Sequence, residues 1–373
     1  MDKKFTPVID RYVKTLLTDG GLGICEGKIK VSDITSSCPS LKKQQRSDRF
    51  KIIIPYAGQS LMWEVLFDCN HPEDPPDFIF GADDNEFSPS LEDLKCLSEW
   101  DANDPRALLL AVEQLVSQYG HYQQQLVENN DRLRFEYSSL IDQTELTPED
   151  IEVLIHRSET KLGPVHFLIK LNVDFSGIPT YLTNDNPGKD LALLLITSPS
   201  PESNRVAPQL FLSPRVEQAF GGSANLRIPS YPNGSYLIDY VPSVLQLLKN
   251  KVEQVVQGHE KREEYIAAFL SHFGKSVLEY DAESFSKISF LFEWNDFFFI
   301  VHIDLPLYFP KESPVISLQS VYHESQGKPY MEIIKEYPYS PRWTGNEMAD
   351  RTRGFILSII STFQKSSVLA GSS

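Results

Sequence analysis

Apolar residues occupy every second position from Phe50 through Ile52, Ile54 and Tyr56, and again from Leu61 through Trp63, Val65 and Phe67. A period of two puts them on one side of an extended chain, so the run predicts two strands with a single buried face. Ala57-Gly58 supplies a two-residue turn that closes the pair as an antiparallel hairpin. The arrangement returns at a constant offset of 238 residues. Ile288, Phe290, Phe292 and Trp294 take the places of the first strand, Phe299, Val301, Ile303 and Leu305 those of the second, and Asn295-Asp296 falls at the turn. Each copy runs on through a proline-bracketed loop, His71-Pro72-Glu73-Asp74-Pro75-Pro76 or Phe309-Pro310-Lys311-Glu312-Ser313-Pro314. A third strand follows, Phe78-Ile79-Phe80 or Ile316-Ser317-Leu318. Proline has no N–H, so matched prolines mark a bend where no ladder bond is needed. Shared register across two strands, a turn and two prolines argues for an internal repeat rather than chance.

Helical periodicity flanks the copies. Val8, Ile9, Tyr12, Val13, Leu16 and Leu17 form an amphipathic stripe that stops at Gly20-Gly21. Asp104-Pro105 opens a second helix carrying Leu108, Leu109, Val112, Leu115, Val116 and Tyr119, and the helical character continues through Leu126, Leu133 and Leu140. Between the copies lie strand-like runs at 165–171, 191–196 and 209–212, then a long helix from about residue 244 to Phe273, with Gly274 as its stop. Pro208 before Leu210 and Leu212 echoes Pro76 before Phe78 and Phe80, which reads as a third, degenerate copy. A last helix is expected around 355–363. These elements predict an α+β chain of tandem antiparallel meanders packed on helices, divided as 1–125, 126–258 and 259–373.

Charge narrows the classes of partner. The 373 residues carry 51 acidic against 35 basic side chains, a formal net charge of −16, and no basic stripe interleaved with aromatics. A phosphate backbone would be repelled, so nucleic acid is not an expected partner. No apolar run reaches the length of a membrane span, and Asp10 and Arg11 interrupt any apolar core of a secretory signal. Four cysteines, Cys25, Cys38, Cys69 and Cys96, show no paired spacing, as in a reduced intracellular protein.

The order of helix, meander, proline loop, strand and helix resembles the ubiquitin-conjugating fold, including its catalytically dead variants. Ubiquitin transfer needs a thiolate and a donor for the tetrahedral oxyanion. The resemblance implies a His-Pro-Asn tripeptide after the third strand, yet the first copy has no histidine between Phe80 and Gly120. Cys96 is the one candidate nucleophile, and it stands closer to Trp100 than the active pattern places it. The second copy offers Tyr322-His323-Glu324-Ser325 in place of the tripeptide and has no cysteine at all, so it cannot form a thioester. A zinc isopeptidase of the JAMM type requires a His-x-His pair, and no two of the eight histidines are two apart. His259-Glu260 and His323-Glu324 begin like a zincin helix, but Glu263 and Gly327 stand where the second histidine is needed. No catalytic residue, metal site or cofactor is therefore expected.

Longer blocks carry a closer likeness. Asp48-Arg49-Phe50, Ile54-Pro55-Tyr56-Ala57-Gly58, Pro75-Pro76-Asp77-Phe78-Ile79-Phe80-Gly81, the run from Glu264-Tyr265-Ile266 to His272-Phe273-Gly274, Val301-His302-Ile303-Asp304-Leu305-Pro306-Leu307 and Tyr337-Pro338-Tyr339-Ser340-Pro341-Arg342-Trp343 resemble the BRE (brain and reproductive organ-expressed) family, over nearly the whole chain. The resemblance implies tandem ubiquitin-conjugating-variant (UEV) domains in a non-catalytic scaffold of the BRISC and BRCA-one-A deubiquitinase assemblies. It further implies as partners an Abraxas-type scaffold, a JAMM isopeptidase specific for lysine-sixty-three-linked ubiquitin chains, a MERIT-type von Willebrand A-domain subunit and serine hydroxymethyltransferase. By the same resemblance the protein would be cytoplasmic and nuclear, with roles in the DNA-damage response and in immune and cytokine signalling. An alternative reading keeps a variant domain that binds ubiquitin directly or assists conjugation. Tyr337, Tyr339 and Trp343, stiffened by Pro338 and Pro341, are the candidate partner-binding residues, since Tyr and Trp are favoured interface anchors. The plainer reading is that these rings cap the domain core, since aromatics bury well and prolines stiffen loops.

Overall fold

The computed structural model describes residues 4–37, 46–81, 84, 86–90, 94–158, 161–179, 189–222 and 226–371; Cys38 lies outside them. They group into two compact units. The first comprises Met1–Val173, Asp190–Ser213 and Ile228–Gln246, the second Asp174–Lys189, Pro214–Arg227 and Leu247–Ser373. The architecture is α+β with antiparallel main sheets.

In the first unit, helix α1 (Pro7–Asp19) starts at Thr6, whose hydroxyl accepts from the Ile9 N–H at 3.4 Å. It ends where the Gly20 N–H closes on the Leu16 carbonyl. Its stripe of Ile9, Tyr12, Val13 and Leu16 is buried, as the spacing predicts. Four strands follow, β1 (Lys30–Thr35), β2 (Arg49–Tyr56), β3 (Gln59–Leu66) and β4 (Asp77–Ile79), hydrogen-bonded in that order. Strands β2 and β3 are the alternating runs. Phe50, Ile52 and Ile54 pair across to Val65, Trp63 and Leu61, and all six side chains are buried. The helical stripe beyond Asp104-Pro105 forms two helices, α2 (Ala107–Glu128) and α3 (Asp131–Gln143). They separate at Asn130, whose side chain caps α3 by accepting from the Leu133 N–H at 3.0 Å.

The middle runs form a four-stranded antiparallel meander of β5 (Ile151–Ser158), β6 (Lys161–Lys170), β7 (Ala192–Ser198) and β8 (Ala207–Leu212). Its edge strand β8 carries Pro208 at its second position, while the edge strand β4 of the first sheet follows Pro75-Pro76. Leu154, Leu168, Leu193 and Leu195 of this meander join the core of the first copy. The long helix α4 runs from Leu237 to Phe273, starting earlier than the sequence predicts because it accommodates Pro242 within its second turn.

The second unit holds a five-stranded antiparallel sheet, β9 (Val277–Tyr280), β10 (Lys287–Trp294), β11 (Phe297–Asp304), β12 (Val315–Ser325) and β13 (Lys328–Ile334), again in chain order. Tyr265, Ile266 and Phe269 of α4 and Met348, Ile356 and Ile360 of α5 (Gly345–Gly371) pack on its inner face. Tyr322-His323-Glu324-Ser325 belongs to β12 and runs straight into a hairpin with β13. The two repeat hairpins turn alike: φ is +46° and +73° at Ala57 and Gly58, and +50° and +62° at Asn295 and Asp296. Both turn residues being left-handed is the geometry that matches strand twist in a two-residue hairpin.

Candidate partner-binding surface

The aromatic segment between β13 and α5 is brought against the core of the second unit. The Tyr337 hydroxyl lies 2.5 Å from Thr352 Oγ1 and 3.5 Å from the Tyr265 hydroxyl, while the Tyr339 hydroxyl donates to the Pro310 carbonyl. The Trp343 N–H donates to the Ser340 carbonyl, and the Arg351 guanidinium stands 3.9 Å above its ring, within cation–π range. Helix α5 begins here because Thr344 and Glu347 form a reciprocal cap, with the Thr344 N–H donating to Glu347 Oε2 at 2.9 Å and the Glu347 N–H to Thr344 Oγ1 at 3.3 Å. Gly345 permits close approach to α4: a Cβ there would sit 2.9 Å from both the Ala268 Cβ and the Glu264 carbonyl.

All three candidate residues are half-buried, each with part of its ring against the core and part open. Burial pushes the Tyr337 hydroxyl above its ordinary pKa and, with Tyr337 nearby, that of Tyr339 to about 12, so both stay neutral hydrogen-bonding groups. The cavity beside them measures about 10 Å³, room for no more than a single water. A partner would therefore meet the outer faces of these rings and not enter a preformed slot.

Cys96 sits in a short helical turn, Lys95–Ser98, and its N–H donates to Gln114 Oε1 at 3.3 Å. Burial pushes its thiol above the ordinary value, opposite to the shift that activates a nucleophile. Among the described residues no histidine is hydrogen-bonded to it, and no group of three or more His, Cys, Asp or Glu could hold a metal ion. Among the described residues no helix is long and apolar enough to cross a membrane.

One feature of the first unit escaped the pattern of the sequence. A cleft of about 590 Å³ opens beside α2, lined by Tyr56, Gly120, Tyr137 and the carboxylates of Glu26, Glu149 and Glu152. Glu152 is 9% exposed; its Oε1 accepts from the Ile24 N–H at 2.9 Å and its Oε2 from the Ala57 N–H at 2.8 Å. Burial raises its pKa, and the two donors oppose that shift. Gln123 at the floor is equally committed, accepting from the Ile155 N–H at 2.8 Å and donating to the Tyr119 hydroxyl at 2.9 Å. The signal in the sequence is a lone glutamate inside the apolar run Ile151-Glu152-Val153-Leu154-Ile155.

Both units thus present rings and capped turns, with no assembled reaction centre among the described residues. A family model for the brain and reproductive organ-expressed protein (BRE) matches residues 3–324. A protein of Branchiostoma floridae called BRISC and BRCA1-A complex member 2 is 49% identical over 370 residues, covering 98% of this chain and 97% of the relative. One of the same name from Danio rerio is 45% identical over 375 residues, covering 99% and 97%. Similarity of this extent, end to end, places the chain in the brain and reproductive organ-expressed protein family.

Proposed function

We propose that this chain is a non-catalytic scaffold subunit of BRISC- and BRCA1-A-type deubiquitinase complexes. Near full-length likeness to two proteins named as members of those complexes carries the reading. It is supported by the raised thiol of Cys96, which disfavours a thioester. The three meanders with their helices act as tandem ubiquitin-conjugating-variant domains, divided as 1–125, 126–258 and 259–373. They join an Abraxas-type scaffold and a JAMM isopeptidase to a MERIT-type subunit and, in the cytoplasm, to serine hydroxymethyltransferase. In this role the protein works in cytoplasm and nucleus without a cofactor.

Purification of the tagged chain from its native cells, with mass spectrometry of bound proteins and a cleavage assay on lysine-sixty-three-linked ubiquitin, tests the proposal. A co-purifying isopeptidase activity is the expected result. A chain recovered alone that charges with ubiquitin when given activating enzyme and ATP would overturn it. Cys96→Ser is expected to leave assembly and chain cleavage unchanged.

The rings of Tyr337, Tyr339 and Trp343 are the contact for the MERIT-type subunit. Trp343→Ala should weaken that subunit's binding at least about tenfold, the loss of one aromatic anchor. Hydrogen exchange in β2 and β3 should stay as in the wild type. Unchanged binding would move the contact elsewhere.

A further inference from the structure

The internal repeat supplies its own control. In the first copy one side of the hairpin tip is covered: Ile54, Tyr56 and Ala57 are 0%, 5% and 0% exposed, while Gly58 is open. The cover comes from the middle meander of the same unit. Glu152 takes the Ala57 N–H, and Leu195 lies so close over Gly58 that a Cβ there would stand 2.9 Å from its Cδ1. The second copy has the same left-handed turn, yet Asn295 and Asp296 are exposed and no described residue accepts from the Asn295 N–H. Phe292 and Trp294, in the places of Ile54 and Tyr56, are larger and only half-buried. With Phe273, Phe299 and the exposed Leu357 of α5 they wall a pocket of about 290 Å³. Arg353 at its rim is exposed and has no carboxylate in ion-pair range among the described residues. Glu293 shares the rim, and His272 there is already held by Asp350 at 3.4 Å and Asn346 at 3.2 Å.

We infer that the tip of the second hairpin docks an extended segment of another protein that presents a carboxylate between apolar residues. Ile151-Glu152-Val153 presents this chemistry to the first hairpin. An apolar side chain fills the aromatic pocket, and the adjacent carboxylate takes the Asn295 N–H as Glu152 takes that of Ala57, with Arg353 adding the attraction of an opposite charge. A chain with an overall charge of −16 would repel an acidic segment at most other places, so a free arginine beside an apolar pocket selects for one here. This surface is distinct from the aromatic segment at 337–343 and stands if the reading of that segment fails.

The test is fluorescence anisotropy of a labelled peptide reproducing residues 147–157, titrated with the full chain. Saturable binding is expected, weakened about tenfold or more by Leu357→Asp, by Arg353→Glu, and by Glu152→Gln within the peptide. Leu357 and Arg353 are exposed, so unchanged thermal melts should show both variants folded. Trp343→Ala should bind the peptide like the wild type. No saturable binding at millimolar protein, or equal binding by the variants, would sink the inference. So would self-association abolished by Leu357→Asp and insensitive to the peptide, which would assign the tip to a second copy of this chain.

Discussion

Trp63→Ala is expected to destabilise the first unit by about 3–5 kcal/mol, the range for deleting a large aromatic from a close-packed core. Trp63 is fully buried at the centre of β3. Its ring meets Phe80 and Tyr119 edge to face at centroid distances of 5.2 and 5.9 Å and stacks near Phe87 at 6.2 Å. Each of those rings also touches another, Phe80 on Phe87 at 4.8 Å and Phe87 on Tyr119 at 5.1 Å, so the cavity cannot close without disturbing the whole group. Trp63→Phe should cost much less. The indole N–H has no acceptor among the described residues, and phenylalanine removes that unmet donor while keeping most of the ring volume. Urea unfolding together with hydrogen exchange in β2 and β3 measures both. Equal losses for the two variants would show that the retained phenyl ring does not fill the site, against this expectation.

Glu152→Ala is expected to remove about 2–3 kcal/mol, because it strips the acceptor from the buried Ala57 amide and the half-buried Ile24 amide, an orphaned buried donor costing roughly 1–3 kcal/mol. Glu152→Gln keeps one acceptor oxygen and should lose less. The pH dependence has a definite sign. Burial raises the carboxyl pKa in the folded protein, so folding favours the protonated form. This contribution is full below the unfolded pKa and disappears as pH rises through the folded pKa. The stability advantage of the wild type over Glu152→Gln should therefore be largest at acid pH and narrow as pH rises. Denaturant melts of both proteins across the carboxylate range, read beside exchange of the Ile24 and Ala57 amides, check the sign. A gap that widens with pH would show that the ionised carboxylate is the favoured acceptor.

The two hairpins are legible in the sequence because they alternate, and the doubly buried β6 and β7 because each is a short apolar run bounded by turn residues. Residues 49–66 and 287–304 alternate because one side of each sheet meets helices and the other does not, and both hairpins fold as the pattern dictates. Strand β5 left no such trace. Ile151 through Ile155 are buried on both faces, and Glu152 interrupts the apolar run without setting up an alternation that would mark a strand. Edge strands β1, β9 and β13 are short or exposed, and the division of α2 from α3 depends on one capping asparagine inside a continuous stripe. At the candidate surface the sequence named Tyr337, Tyr339 and Trp343 but not Tyr265 or Pro310, which hold them, because partners far apart in the chain meet only through the fold. The open hairpin tip was visible only as a substitution of larger rings for Ile54 and Tyr56.

The interleaving of the two units along the chain governs the order in which the protein can be completed at the ribosome. The first unit needs Ile228–Gln246, in which the Leu237 N–H meets the buried carboxylate of Glu136 at 2.7 Å. Until that stretch has left the exit tunnel, Glu136 lacks the Leu237 donor and the cover that stretch supplies, and the nascent first unit is unfinished although most of its strands have been made. Synthesis that stops before residue 246 would thus release a product incomplete in both units, one for chaperones and proteases to handle rather than a smaller working domain.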